Sequence, residues 1–215
     1  QKYVCLNSGS EAVTLASRIS DANAKTQTDP NGPKQGQRIK FLAIQGGFHG
    51  RTDRPAQVSD SSLPAYKSKL ASFRDRDNLI TVLMNDRAKL EKAFEQAAQE
   101  KIFIEAAFME PVMGEGDPGK AMQPEFYQLA RDLTRKNGSL LIVDSIQAGL
   151  RCHGYLSIVD YPGFTKLDPP DMEVFSKALI AGQFPLSVVA MTEKSANMYK
   201  TGLYGNTMTS NPRAL

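Results

Sequence analysis

Cysteine and histidine are scarce in this sequence. Cys5 and Cys152 are its two cysteines and His49 and His153 its two histidines, and neither pair has the spacing of a disulfide framework or a metal site. That usage fits a reducing, cytoplasmic setting with no bound metal. Apolar runs are short, none approaching the ~18 residues that cross a bilayer. The opening stretch QKYVCLNSGS lacks the basic region, apolar core and cleavage site of a signal peptide. A membrane is therefore not an expected partner. The chain carries 26 basic and 23 acidic residues for a formal charge of +3, but they are interspersed and form no stripe that could track a phosphate backbone. Nucleic acid is likewise not expected. Internal repeats and low-complexity segments are absent.

What is present is 215 residues with 41% hydrophobic content, ordinary for one large domain. Short apolar runs alternate with longer amphipathic stretches. KYVCL, IKFLAI, LITVLM, IEAAFM, SLLIV, MEVFS and LSVVAM read as strands. SEAVTLASRISDANA reads as a helix because Ala12, Leu15, Ala16 and Ile19 recur at spacings of three and four. DRAKLEKAFEQAAQE reads as a second, capped by Asp86, and QPEFYQLARDLTRKNG as a third, stopped by Gly138. This alternation predicts an α/β fold, a mostly parallel sheet with helices on both faces. Residues 24–38 read as a polar surface excursion, and GFHGRTDRPAQVSDSSLPAY as a long irregular region of the kind that often carries function. The chain begins inside a strand and ends at YGNTMTSNPRAL with a helix starting at Pro212; both ends predict a fragment of something longer.

In open parallel sheets ligands bind beyond the carboxyl ends of the strands. Four positions there carry chemistry: NSGSEA after the first strand, Glu110, Asp144 and Lys177. The turn around Ser8, Gly9 and Ser10 opens a helix, so its amides offer an anion site, although a serine there is as readily a plain N-cap. Lys177, between a strand and an Ala/Gly turn, is placed for partial desolvation, which frees a neutral amine for nucleophilic attack; alone, it is more often a lysine with its head in water. Asp144 alone is more often a cap or an ion-pair partner. Together the three match the needs of pyridoxal 5'-phosphate: an amine, a phosphate site, and an acid opposite the ring nitrogen.

NSGSEA, GGFHGRT, EPVMGEG, VDSIQAG and SKALIAGQFP occur in the order found in class III pyridoxal-phosphate aminotransferases, and over essentially its whole length the chain resembles the large cofactor-binding domain of that family, a fold type I transferase. The resemblance implies that residues 1–215 form this domain without the family's N-terminal segment and C-terminal small domain, which commonly supply an arginine for the substrate carboxylate. It makes Lys177 the Schiff-base lysine and proton shuttle, and Asp144 the partner of the pyridine nitrogen. Gly9 and Ser10, with Ser8, match the phosphate turn. Phe48 matches the ring that stacks on the cofactor, beside His49. Ile146 matches a residue on the opposite ring face, and Gln147 the glutamine near the phenolic oxygen. Glu11 and Glu110 match acids around the site, and Glu115 an acid controlling substrate access. Thr207 aligns with a threonine reaching the phosphate of a neighbouring subunit, which implies a homodimer with shared active sites. Without the other motifs Phe48 reads as core, His49 as a loop histidine, Gln147 as surface and Glu115 as a solvated turn.

The implied activity is ping-pong transfer of an amino group from an amine or amino acid to an oxo-acid. The motifs equally admit a decarboxylase or an aminomutase on the same cofactor, and a non-catalytic α/β binding module is the reading from another class. The sequence departs from the family's Asp-Glu-Val-Gln-Thr-Gly at Ser145, which replaces an acid, at Ala148, which replaces a threonine, and at Arg151, where glycine is usual.

Overall fold

The computed structural model describes residues 2–205 and 207. Its strands are β1 Lys2–Leu6, β2 Arg38–Ile44, β3 Leu79–Val82, β4 Ile102–Met109, β5 Leu140–Asp144, β6 Met172–Phe175 and β7 Ser187–Met191. Its α-helices are α1 Gly9–Thr28, α2 Asp53–Val58, α3 Leu63–Lys69, α4 Arg87–Gln99, α5 Pro124–Asn137, α6 Gly149–His153 and α7 Glu193–Met198. The sheet order is β1-β7-β6-β5-β4-β2-β3.

The pairs from β3 across to β6 are parallel, and β7 runs antiparallel to both β6 and β1. The sheet is thus α/β and mostly parallel, as the alternation predicts. Every residue of β4, β5 and β6 is buried, the condition for a strand covered on both faces. Side chains alternate between two cores. Phe41, Ala43, Phe108, Leu140, Ile142 and Val174 pack with α1 on one face. Leu42, Ile44, Met109, Leu141 and Val143 pack with α4 and α5 on the other.

Helix ends follow local chemistry. The Asp86 side chain accepts from Lys89 N at 3.0 Å and caps α4. Gly138 ends α5 with φ +80, in the left-handed region where only glycine is free of strain. The anticipated excursion at 24–38 is shorter, because α1 continues to Thr28 with the Thr28 hydroxyl bonded back to Ala24 O. The region anticipated as irregular carries α2, a 3-10 turn at Asp60–Ser62 and α3. Pro55 stands in the first turn of α2 and Pro64 in that of α3, where a missing N–H costs nothing. The helix anticipated at Pro212 lies outside the described residues. No described helix is long and apolar enough to cross a membrane, and no metal-binding cluster occurs among the described residues.

Candidate active site

The carboxyl ends of β1, β5 and β6 open on one cavity of about 190 Å3, lined by Ser8, Gly9, Ser10, Phe48, His49, Asp144, Ile146, Gln147 and Lys177 among others. Nine positions singled out in the sequence therefore meet in space, from segments up to 169 residues apart.

At one end stands the start of α1. Ser8 is the N-cap, its hydroxyl accepting from Glu11 N at 3.3 Å. The first intrahelical bond is Ala12 N to Ser8 O at 3.0 Å, which leaves the Gly9 and Ser10 amides as orphan donors at the positive end of a long helix. The N-cap and anion-site readings thus coexist, one using the Ser8 side chain and the other the amides. The Glu11 carboxylate accepts from Asn7 N at 2.8 Å and holds the approach to the helix. Gly9 packs tightly on Ile146, since a Cβ there would lie 2.8 Å from Ile146 Cδ1 and would push that side chain aside.

At the other end lies Asp144, 3% exposed. Its Oδ1 accepts from Ile146 N at 3.1 Å and its Oδ2 meets His49 Nδ1 at 2.9 Å. Burial disfavours the charged imidazole of His49, but the hydrogen bond and charge of Asp144, with the charge of Glu110, outweigh it and leave the His49 pKa raised. The buried carboxylate of Asp144 is therefore hydrogen-bonded on both oxygens and oriented, rather than capping a helix.

Lys177 sits two residues past β6, after Ser176, and its backbone has φ +48, an unusual conformation for a residue with a Cβ. Such local strain persists only where surrounding contacts impose it. The Ser176 hydroxyl bonds Leu186 O at 2.7 Å, and Lys177 Nζ donates to Gln147 Oε1 at 2.7 Å. Contrary to the expectation of desolvation, Lys177 is exposed in this chain. The left-handed backbone turns it out of the sheet end, into an open cavity where Gln147 is its hydrogen-bond partner.

Glu110 does not line the cavity; it orders what does. Buried, its carboxylate accepts from Phe48 N and Gly114 N, both at 3.0 Å. Gly114 in turn backs Gln147, whose Cδ would lie 2.3 Å from any Cβ added there. Burial raises the Glu110 pKa against the opposing charge of His49. Glu115 is partly exposed beyond this loop, and Thr207 is exposed; neither lines the cavity.

Two residues escaped the sequence reading. Arg51 places its guanidinium 5.2 Å from the centre of the Phe48 ring, and the GGFHGRT stretch that drew attention to Phe48 already contained it. Glu173, 3% exposed in the middle of β6, accepts hydrogen bonds from Ser145 and Ser157. An acid inside the apolar run MEVF was the available signal.

A family model for class III aminotransferases matches residues 1–215. The chain belongs to that family. Among curated members of this aminotransferase family it is similar to acetylornithine aminotransferase of Mycolicibacterium smegmatis, 31% identical over 96% of this chain and 45% of that protein. It is also similar to ornithine aminotransferase 1 of Staphylococcus aureus, 32% identical over 100% of this chain and 50% of that one. The chain spans about half the length of the curated relatives it matches. Among solved structures, ornithine aminotransferase from Toxoplasma gondii, described with partial occupancy of PLP at its active site, superposes with a TM-score of 0.78 at 27% identity, over 100% of this chain and 46% of that one. A transaminase from the marine bacterium Virgibacillus shares the fold, with a TM-score of 0.78 at 21% identity, over 99% of this chain and 47% of that one.

Proposed function

We propose that this chain is the large domain of a cytoplasmic, homodimeric aminotransferase that binds pyridoxal phosphate and moves an amino group from an amino donor to an oxo-acid acceptor. The observation that carries the reading is the convergence of Lys177, Asp144 and the start of α1 on one cavity. The donor set suits the cofactor. The orphan amides of Gly9 and Ser10 suit a phosphate, and the buried, oriented carboxylate of Asp144 suits a protonated ring nitrogen. Phe48 and Ile146 are flat or apolar surfaces for the two ring faces, and Gln147 offers an amide for the phenolic oxygen.

When bound, the cofactor supplies an electron sink that allows a C–H bond next to nitrogen to break. The protein's residues do the rest. Lys177 is the amine that would hold the cofactor, and when free it would be the base that takes the proton and gives it back. Gln147, hydrogen-bonded to Nζ, keeps that amine at the cavity. The His49 ring bonds Asp144 Oδ2 and the Ile146 amide bonds Oδ1, so the carboxylate that would pair with the ring nitrogen is held in a fixed orientation. Arg51, its guanidinium beside the Phe48 ring, suits a substrate carboxylate, which a guanidinium can grip with two parallel bonds. Thr207, exposed, is the residue of this chain offered to the partner's phosphate. The names of the relatives make ornithine and acetylornithine the first donors to assay.

The protein mixed with pyridoxal phosphate should develop an imine absorbance that borohydride fixes as an adduct on the peptide containing Lys177. Lys177→Ala should remove it. A Lys177→Ala protein that kept both the absorbance and turnover would refute the assignment. Turnover with a donor should follow parallel-line, two-substrate kinetics; carbon dioxide release, or turnover without an acceptor, would favour a decarboxylase or aminomutase.

A further inference from the structure

The strand pair β5 and β6 carries a carboxylate that the mechanism does not use. Val143 is the register partner of Glu173, so the period of two puts Ser145 and Glu173 on the same face of the sheet, with Leu141 and Val143, while Asp144 faces the cavity. Glu173 Oε1 accepts from the Ser145 hydroxyl at 2.5 Å and from Ile158 N at 3.1 Å. Its Oε2 accepts from the Ser157 hydroxyl at 2.5 Å. These are three charge-compatible bonds to one fully buried group, a complete set rather than an accident of proximity.

The positions of those donors matter. After β5 the chain leaves the sheet at Ser145, passes through Ile146 and Gln147 at the cavity and through α6, and returns to the core at Ile158. One carboxylate grips both ends of that excursion. At the outgoing end a backbone bond, Ser145 N to Val174 O at 3.0 Å, runs beside it. At the returning end Glu173 takes both the Ser157 hydroxyl and the Ile158 amide. Position 145 is also where the family resemblance calls for an acid and this sequence has a serine, which donates to Glu173.

We propose that Glu173 is a positioning residue for the cofactor site, a clasp that closes the base of the 145–157 loop and thereby holds Ile146 against Gly9 and Gln147 on Lys177. It rests on the cofactor reading for its functional consequence and on geometry alone for the clasp. Neither protonation state of the acid opens the clasp. A neutral carboxyl still accepts twice and donates once, to a serine oxygen. Glutamine, with one accepting oxygen and a donating amide, can keep the same set; leucine cannot.

The test uses Glu173→Leu, Glu173→Gln and Ser145→Ala, each measured two ways: amide hydrogen exchange without cofactor, and the dissociation constant of pyridoxal phosphate. Glu173→Leu should accelerate exchange across 145–158 while β4 and β5 stay protected, and weaken cofactor binding on the order of tenfold, since small misplacements at a reacting centre cost that much or more. Glu173→Gln should restore both to near wild type. Ser145→Ala should loosen 146–149 alone, and it carries the test if the leucine variant does not fold. Wild-type exchange and wild-type affinity in Glu173→Leu, or a Glu173→Gln protein as impaired as Glu173→Leu, would overturn the clasp. Should the wild type bind no cofactor, the functional reading fails, while the exchange experiment still decides whether Glu173 closes the loop.

Discussion

Glu173 also makes a pH prediction whose size can be worked from its surroundings. Burial pushes its carboxyl from the ordinary 4.5 up to about 7, against the hydrogen bonds of Ser145, Ser157 and Ile158 N, with Asp160 adding to the rise. The folded protein therefore holds this proton more tightly than the unfolded chain does. Its contribution to stability is complete below the unfolded value of 4.5 and is lost as pH climbs through the folded value of about 7. A difference of roughly 2.5 units at 1.36 kcal/mol each is about 3 kcal/mol. Glu173→Gln abolishes the titration while keeping size and hydrogen-bonding capacity. The stability of Glu173→Gln relative to wild type should therefore rise by ~2–3 kcal/mol between about pH 5 and about pH 8. Glu105 and Glu110, also raised by burial, tilt the curve the same way, as does the raised His49. They are common to both proteins and cancel in the difference. Urea unfolding followed by far-ultraviolet circular dichroism at several pH values measures it. Two stability curves that stay parallel across that range would refute the reasoning.

Gly9→Ala should leave the fold intact but drive Ile146 from its place, because the new methyl would sit 2.8 Å from Ile146 Cδ1; equilibrium dialysis should show pyridoxal phosphate binding weakened on the order of tenfold. Gly138→Ala should cost about 1–2 kcal/mol in thermal unfolding, since φ +80 forces an L side chain into the left-handed region. Asp171→Ala should cost about 3–5 kcal/mol, because Arg131 grips Asp171 at 2.6 and 3.1 Å in a buried pair and Leu141 N bonds the same carboxylate. An Asp171→Ala protein with a wild-type urea midpoint would show that the pair is dispensable.

The central strands were legible because a strand buried on both faces is a near-continuous apolar run: LLIV in β5 is unbroken, and IEAAFM in β4 is interrupted only by Glu105. The helices were legible where an amphipathic period met a cap, as at Asp86 and Gly138. Strand direction was not, since LSVVAM is equally apolar read either way. The short helices α2 and α3 hid in GFHGRTDRPAQVSDSSLPAY because a run of one or two turns shows too little periodicity against so many turn-forming residues. At the site, residue types next to strand ends gave Lys177, Asp144 and the α1 start, but not their exposure: the turn-out of Lys177 is a backbone property, φ +48. The partners of Glu173, Ser145 just past β5 and Ser157 and Ile158 at the far end of the loop, lie 15 to 28 residues away, and local pattern carries no information at that range.

The antiparallel strand β7 explains why motifs from the two ends of the chain share one cavity. From Phe175 to Ser187 the link holds only a 3-10 turn at Lys177–Ile180 and a short loop, and a parallel return needs a crossover of a dozen or more residues, usually with a helix. With no α-helix in that short link, the strand following Lys177 comes back antiparallel. Strand β1 then pairs antiparallel to β7, with Leu6 opposite Ser187. Two inversions cancel, so β1 runs in the same direction as β6, and both strands end at the same edge of the sheet. That places the turn at Ser8–Ser10 beside Lys177, and the Ser187 hydroxyl bonded to Ser8 O at 2.6 Å fixes the join. Asp144 reaches the same edge because β5 is the parallel neighbour of β6, with Asp144 opposite Val174. Had the link after Lys177 been long enough for a helical crossover, β7 could have run parallel and β1 would have ended at the far edge, leaving the lysine and the acid without an anion site. The brevity of that link, as much as any side chain, assembles the three groups.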